Sequence, residues 1–234
     1  MPWGQFQPWF GSEWRAGDHV AAVAMTGGGK TTLLRNLIGF RDFVVVFGTK
    51  ARDDALYRPL EDQGFILVKK WDPWEWEETK QRKVIFAPPL NVSDRGESGE
   101  IDAAQAEQAS AFRTALVQIY TAGGWCCYFD EIRYLTDDLS LAREINLLYL
   151  QGRSLGVTMV AATQRPRSVP LNVFAMATWF FLWKISDRDD RRRAAEFAGE
   201  LAPTAFETSA RIPKREFACV NAMDETIVRS KVQL

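Results

Sequence analysis

Residues 19–32 read H-V-A-A-V-A-M-T-G-G-G-K-T-T. An apolar run of strand length, His19 to Ala24, passes into a turn carrying Gly27, Gly28 and Gly29. Lys30 then opens a stretch that puts Leu33, Leu34, Leu37 and Ile38 on one helical face. Strand, glycine turn and helix in that order make a receptor for phosphate. The glycines let the backbone turn tightly and bring N–H groups up to anionic oxygens, and the helix N-terminus adds the positive end of its dipole. This places Thr26, Gly27, Gly28, Gly29, Lys30, Thr31 and Thr32 around a nucleotide, ATP in the simplest case. The Lys30 ammonium reaches the β- and γ-phosphates, and the Thr31 hydroxyl takes a magnesium position. Ala24–Thr31 fits the Walker A pattern except that Ala24 stands where a first glycine is usual. A glycine turn followed by a surface lysine is the bland alternative, and the flanking strand and helix weigh against it.

Further along, W-C-C-Y-F-D-E at 125–131 is an apolar strand that delivers two carboxylates to its C-terminal tip, where ligands bind in open α/β sheets. Asp130 is placed to hold Mg²⁺ and Glu131 to act as general base on a water, which makes hydrolysis the expected outcome. The next strand, Val157 to Thr163, ends in A-A-T-Q-R-P, so Gln164 lies beside Asp130 if the two strands are neighbours. There a glutamine can orient water or sense the γ-phosphate.

Between and beyond these motifs the reading is coarser. Phe43 to Phe47 is a strand, apolar throughout as expected when helices cover both faces of a parallel sheet. Gly64 to Val68, Val84 to Phe86 and Thr178 to Ile185 are further strands. Helices are predicted from about Ala109 to Gly123, over Leu139–Leu150 and over Arg191–Ala198. Glu216–Val220 with Thr226–Val232 reads as a C-terminal hairpin. Trp71–Glu78 reads as a surface excursion and residues 87–100 as a loop. Residues 1–18 read as an irregular aromatic arm packing over the sheet edge, and residues 19–234 as a single P-loop ATPase domain. The fold class is α/β, with a mainly parallel central sheet flanked by helices.

T-G-G-G-K-T, Y-F-D-E and, most specifically, G-R-S-L-G-V-T-M-V-A-A-T-Q-R-P at 152–166 together resemble the HerA/FtsK superfamily of DNA translocases, conjugative coupling proteins and viral genome-packaging ATPases. S-D-R-D-D-R-R-R-A-A-E-F-A-G, which follows the next strand, is similar to a helix of FtsK-type motors. The resemblance implies a RecA-like core working as a homo-oligomeric ring, pentamer or hexamer, on double-stranded DNA. It also implies ATP at subunit interfaces and an arginine reaching in from the neighbour, worth about 10³ to 10⁵ in turnover. Arg153 is the first candidate for that arginine, a cation near a helix C-terminus being its other reading. Arg188 and Arg191–Arg193 come second, since Asp187, Asp189 and Asp190 make them a mixed-charge face. With no membrane span and no DNA-reading appendage, the small viral packaging ATPases are the expected branch, docking on a capsid vertex or portal. A cellular or plasmid DNA-transfer ATPase is the alternative.

Composition narrows the field. Lys and Arg total 29 against 30 for Asp and Glu, so a net charge of −1 supplies no global pull toward nucleic acid. DNA contacts must then come from local patches, with Lys69, Lys70, Lys80, Arg82 and Lys83 as one basic cluster and the 87–100 loop as a pore candidate. Three cysteines make no disulfide framework, and the expected location is cytoplasmic: a host cytoplasm or a virion vertex. A single histidine, His19, excludes histidine-rich metal chemistry. Two rivals stay open: a small-substrate kinase, which has no need of Glu131, and a nucleotide-gated scaffold.

Overall fold

The computed structural model describes residues 1–50, 52–73, 82–90 and 98–233. Helix α1 spans Trp3–Glu13, strand β1 His19–Val23, α2 Lys30–Ile38, β2 Val44–Phe47, α3 Tyr57–Glu61, β3 Ile66–Val68 and β4 Lys83–Phe86. Then come α4 at Ser98–Ala122, β5 at Cys126–Phe129, α5 at Ala142–Gln151, β6 at Thr158–Thr163, α6 at Leu171–Ala175 and β7 at Ala177–Leu182. Finally α7 at Arg188–Ala195 and α8 at Ala202–Arg211 lead into the hairpin of β8, Glu216–Asn221, and β9, Thr226–Lys231.

The nine strands make one sheet in the order β3-β4-β2-β5-β6-β1-β7-β8-β9. Pairing is parallel from β3 to β7 and antiparallel at β7·β8 and β8·β9. The apolar runs read from the sequence have a simple physical basis, because alternate residues of every central strand enter different cores. Ala21, Val23, Cys127, Phe129, Met159 and Ala161 face one buried cluster, with Phe112, Leu116, Ile119 and Leu148 from α4 and α5. Val20, Ala22, Cys126, Tyr128, Val160 and Ala162 face the other, with Phe6, Phe10, Leu33, Leu37 and Leu60 from α1, α2 and α3. Helices therefore cover both faces, and the polar strand-end residues collect at one rim.

Several expectations change. The N-terminal arm is not irregular: Trp3, Phe6 and Phe10 are buried on one side of α1, which packs over β7, β8 and the edge strand β9. Phe6 meets Phe217 at 5.0 Å between ring centroids, and Phe10 meets Trp179 at 5.0 Å and Phe181 at 5.2 Å. Burying that aromatic surface outweighs Gly4, Pro8 and Gly11, whose presence argues against a helix. Trp71, at the start of the surface excursion, is half-buried, its ring packing on Phe86 and Trp125. The rest of that excursion from Trp74 on, Lys80, and residues 91–97 of the pore-candidate loop lie outside the described residues. Helix α4 starts at Ser98, well before Ala109, so residues 98–100 belong to a helix and not to a loop. Helix α7 also starts earlier than expected, because the Asp187 carboxylate accepts the Asp189 and Asp190 N–H groups at 3.0 and 2.9 Å and caps it. Helix α8 and the short α3 and α6 had no periodic signal long enough to read.

Cys126, Cys127 and Cys219 are buried free thiols, all pushed up by burial, Cys126 to about 12. No described helix is long and apolar enough to cross a membrane.

Candidate active site

The glycine turn after β1 is a left-handed hinge. Gly27 and Gly29 have φ of +75° and +93°, a region that side-chain-bearing residues rarely enter, and Gly29 caps α2. Lys30, the first residue of α2, is only 8% exposed, and its ammonium donates to the Asp130 carbonyl at 2.5 Å and lies 3.5 Å from the Asp130 carboxylate. Thr31 donates its hydroxyl proton to Asp130 Oδ1 at 2.9 Å. Tyr128, buried beneath, donates to the same oxygen at 2.5 Å, and burial holds its phenol protonated. Strand β5 thus delivers Asp130 directly against the start of α2.

Strand β6 lies between β5 and β1, with Phe129 paired to Ala161 and Val23 to Thr163. Gln164 therefore emerges between the two motifs, and its Oε1 accepts the Thr26 hydroxyl at 2.8 Å. It borders two depressions at once. One, of about 410 Å³, is lined by residues 24–32, Lys50, Asp130, Gln164 and Arg215. The other, of about 350 Å³, is lined by Glu131, Arg133, Tyr134, Asp138, Gln164 and Arg165. Glu131 is turned toward the second, where its Oε1 accepts the Thr163 hydroxyl at 3.0 Å.

Arg153 lines neither depression. It precedes β6, so a strand's length, roughly 20 Å at 3.3 Å per residue, separates it from Gln164. It is more than half exposed and sits 3.6 Å from Asp18. It does not line the cavity that holds Lys30 and Asp130. Of the second candidates, Arg192 and Arg193 pair with Asp189 and Glu196 at 3.7 and 3.4 Å, and Arg191 donates to the Ile185 carbonyl.

Three residues that the sequence did not flag belong to the site. Thr163 fixes Glu131; Lys50, after β2, and Arg215, at the base of the hairpin, line the cavity of about 410 Å³. No motif surrounds Lys50 or Arg215, and only the strand order brings them in. Arg215 also lines an adjoining cleft of about 500 Å³ with Trp183, Lys184, Pro213 and Lys214.

The donor set suits magnesium, a hard cation that takes one or two carboxylate or hydroxyl oxygens and completes its shell with phosphate and water. Thr31 and Asp130 supply that oxygen pair within hydrogen-bond distance of each other. Among the described residues no group of three or more His, Cys, Asp or Glu side chains offers a rival site.

The fold is the one seen in solved viral packaging NTPases and conjugative coupling proteins. Among solved structures, the DNA-packaging ATPase B204 of Sulfolobus turreted icosahedral virus superposes with a TM-score of 0.61 at 11% identity, over 94% of this chain and 100% of that one. B204 of Sulfolobus turreted icosahedral virus 2 in complex with AMPPCP gives 0.59 at 15% identity over 93% and 98%. The bacterial conjugative coupling protein TrwB gives 0.59 at 10% identity over 94% and 85%. No protein-family model matches the sequence, and no curated protein does.

Proposed function

We propose that this protein is a Mg²⁺-dependent ATPase that moves double-stranded DNA as a homo-oligomeric ring, packaging viral DNA at a capsid vertex or portal. The observation that carries the reading is the meeting of Lys30, Thr31 and Asp130 at the tips of adjoining elements, with Gln164 tied to Thr26 beside them. In the free protein the Lys30 ammonium and the Thr31 hydroxyl both rest on Asp130. Bound ATP gives Lys30 its β- and γ-oxygens, and Thr31 and Asp130 would hold the magnesium, whose charge offsets that developing on the phosphates.

Glu131, oriented by Thr163, takes a proton from a water whose oxygen bonds to the γ-phosphorus. The bond to the β–γ bridging oxygen breaks, and ADP and phosphate leave. A carboxylate held this way favours water as the acceptor and weighs against a kinase. Arg153 is exposed beside Asp18 at the opposite rim, so a part in ATP turnover would require the site of a neighbouring copy. That geometry agrees with an arginine supplied in trans.

The neighbours support DNA movement as the work, since B204 is described as a genome-packaging NTPase and TrwB as a conjugative coupling protein. The match over the whole of B204 favours packaging, and the TrwB likeness keeps plasmid or cellular DNA transfer as the second reading. The test is phosphate release with and without duplex DNA, for wild type and Lys30→Ala, beside a native-mass measurement. The expected result is turnover that rises with DNA, disappears in Lys30→Ala and accompanies a ring. DNA-insensitive turnover by a monomer removes the motor and leaves the ATPase.

A further inference from the structure

Strand β2 stops at Phe47 beside β5, and the chain leaves it through Gly48, Thr49 and Lys50. That exit is fixed from several sides. The Gly48 N–H donates to the Phe86 carbonyl at 2.8 Å. A Cβ on Gly48 would fall 2.5 Å from the Tyr57 hydroxyl and 2.8 Å from Ala87 Cβ, so no larger residue fits. Tyr57 donates its hydroxyl proton to the Lys50 carbonyl at 2.8 Å, and the side chain of Gln108, fully buried, donates to the Thr49 carbonyl at 3.5 Å. A solvating surface lysine needs none of this. The construction fixes the Lys50 backbone at the edge of the cavity, while the side chain stays 65% exposed and free to swing.

Lys50 lines that cavity together with Lys30, Thr31 and Asp130, and its ammonium rests on Asp53 Oδ2 at 2.8 Å. Asp53 is itself held, because its other oxygen accepts the Leu56 N–H at 3.2 Å. The carboxylate of Asp53, and more weakly that of Asp130, raises the Lys50 pKa, so the group is a cation at any physiological pH. Across the sheet the order at the rim is Lys50 after β2, Asp130 after β5, Gln164 after β6, the glycine loop after β1 and Arg215 just before β8. Lys50 and Arg215 thus stand at opposite ends of that order, with Asp130 nearest Lys50.

We propose that Lys50 is a second phosphate-binding cation, supplied by the same chain as Lys30: it rests on Asp53 in the free protein and moves to the γ-phosphate when ATP is bound. It thereby distinguishes a triphosphate from a diphosphate. The inference rests on the ATP-binding reading above and adds a residue to it. A γ-phosphate carries two negative charges and competes well with one carboxylate for the ammonium, whereas ADP has no oxygen in reach.

The test is titration of AMPPCP and ADP into wild type, Lys50→Ala, Lys50→Arg and Lys30→Ala, with single-turnover hydrolysis of ATP in parallel. In Lys50→Ala the affinity for AMPPCP should fall about tenfold and hydrolysis about 10²-fold, as for loss of one charged donor, while ADP binds within about twofold of wild type. Lys50→Arg, which keeps the charge, should recover most of the AMPPCP affinity. An AMPPCP-to-ADP affinity ratio unchanged in Lys50→Ala overturns the proposal. Wild type and Lys30→Ala binding AMPPCP alike, or neither binding it, overturns the ATP-site reading and Lys50 with it.

Discussion

Thr163 sits at the end of β6 with its one hydroxyl shared between two partners: it donates to Glu131 Oε1 and accepts the Arg165 N–H at 3.1 Å. The side chain is 2% exposed, so neither partner can be replaced by water without moving the strand end. Thr163→Val keeps the shape and removes the donor. We expect kcat to fall about tenfold with KM unchanged, and Thr163→Ser to restore it; a fall in KM-linked binding alone would refute a positioning role. Glu131→Gln, which removes the base itself, should lower kcat by about 10² to 10³ and leave AMPPCP affinity near wild type. His19 is a different case, a buried neutral imidazole whose Nδ1 accepts the Met159 N–H at 3.1 Å. Burial pushes its pKa from 6.5 down to about 4, partly opposed by a backbone hydrogen bond at Tyr149 and helped by Arg153. Between those values the unfolded chain binds a proton that the folded chain does not, so stability falls as pH drops through the window from 6.5 to 4, by about 3 kcal/mol. Urea midpoints at pH 7 and pH 4.5 should show the loss in wild type and a smaller one in His19→Gln; equal losses would exclude His19 as the cause.

At the scale of elements, α1 is where local propensity and packing disagree most. Gly4, Pro8 and Gly11 weaken the helix, and Pro8 removes one backbone hydrogen bond from its interior. The ring faces of Phe6 and Phe10 against Phe181, Trp179 and Phe217 outweigh that cost. The helix is consequently a clamp on β7 and β8, and the N-terminal amine adds a contact to the Arg229 carbonyl in β9 at 2.7 Å. Phe10→Ala should destabilise the fold by about 3 to 5 kcal/mol, measured by urea unfolding. A loss under about 1 kcal/mol would mean that α1 is not part of the cooperative core.

For the whole molecule, a net charge of −1 means that any hold on DNA comes from local cations repeated around an assembly. Such contacts release counterions, so the DNA concentration that gives half-maximal stimulation of ATP turnover should rise by about 10³ or more between roughly 50 and 200 mM salt if a ring makes six or more phosphate contacts. Turnover without DNA should change little over the same range. Stimulation that ignores salt would rule out backbone contact as its origin.

The sequence by itself determined the parts of the site that are written over short distances. A strand feeding a glycine turn and a helix put Lys30 and Thr31 in place, and two apolar strands with polar tips announced Asp130, Glu131 and Gln164. Each of these depends on spacing within about a dozen residues, which side-chain periodicity records. It did not reveal α1, since glycine and proline there speak against the helix that aromatic burial imposes. Nor did it bring Lys50 and Arg215 to the cavity, Thr163 to Glu131 or Arg153 to the far rim. Those facts follow from strand order, and strand order is decided by how whole helices pack across both faces of the sheet. That is a balance of buried area between segments far apart in the chain, which no local pattern encodes.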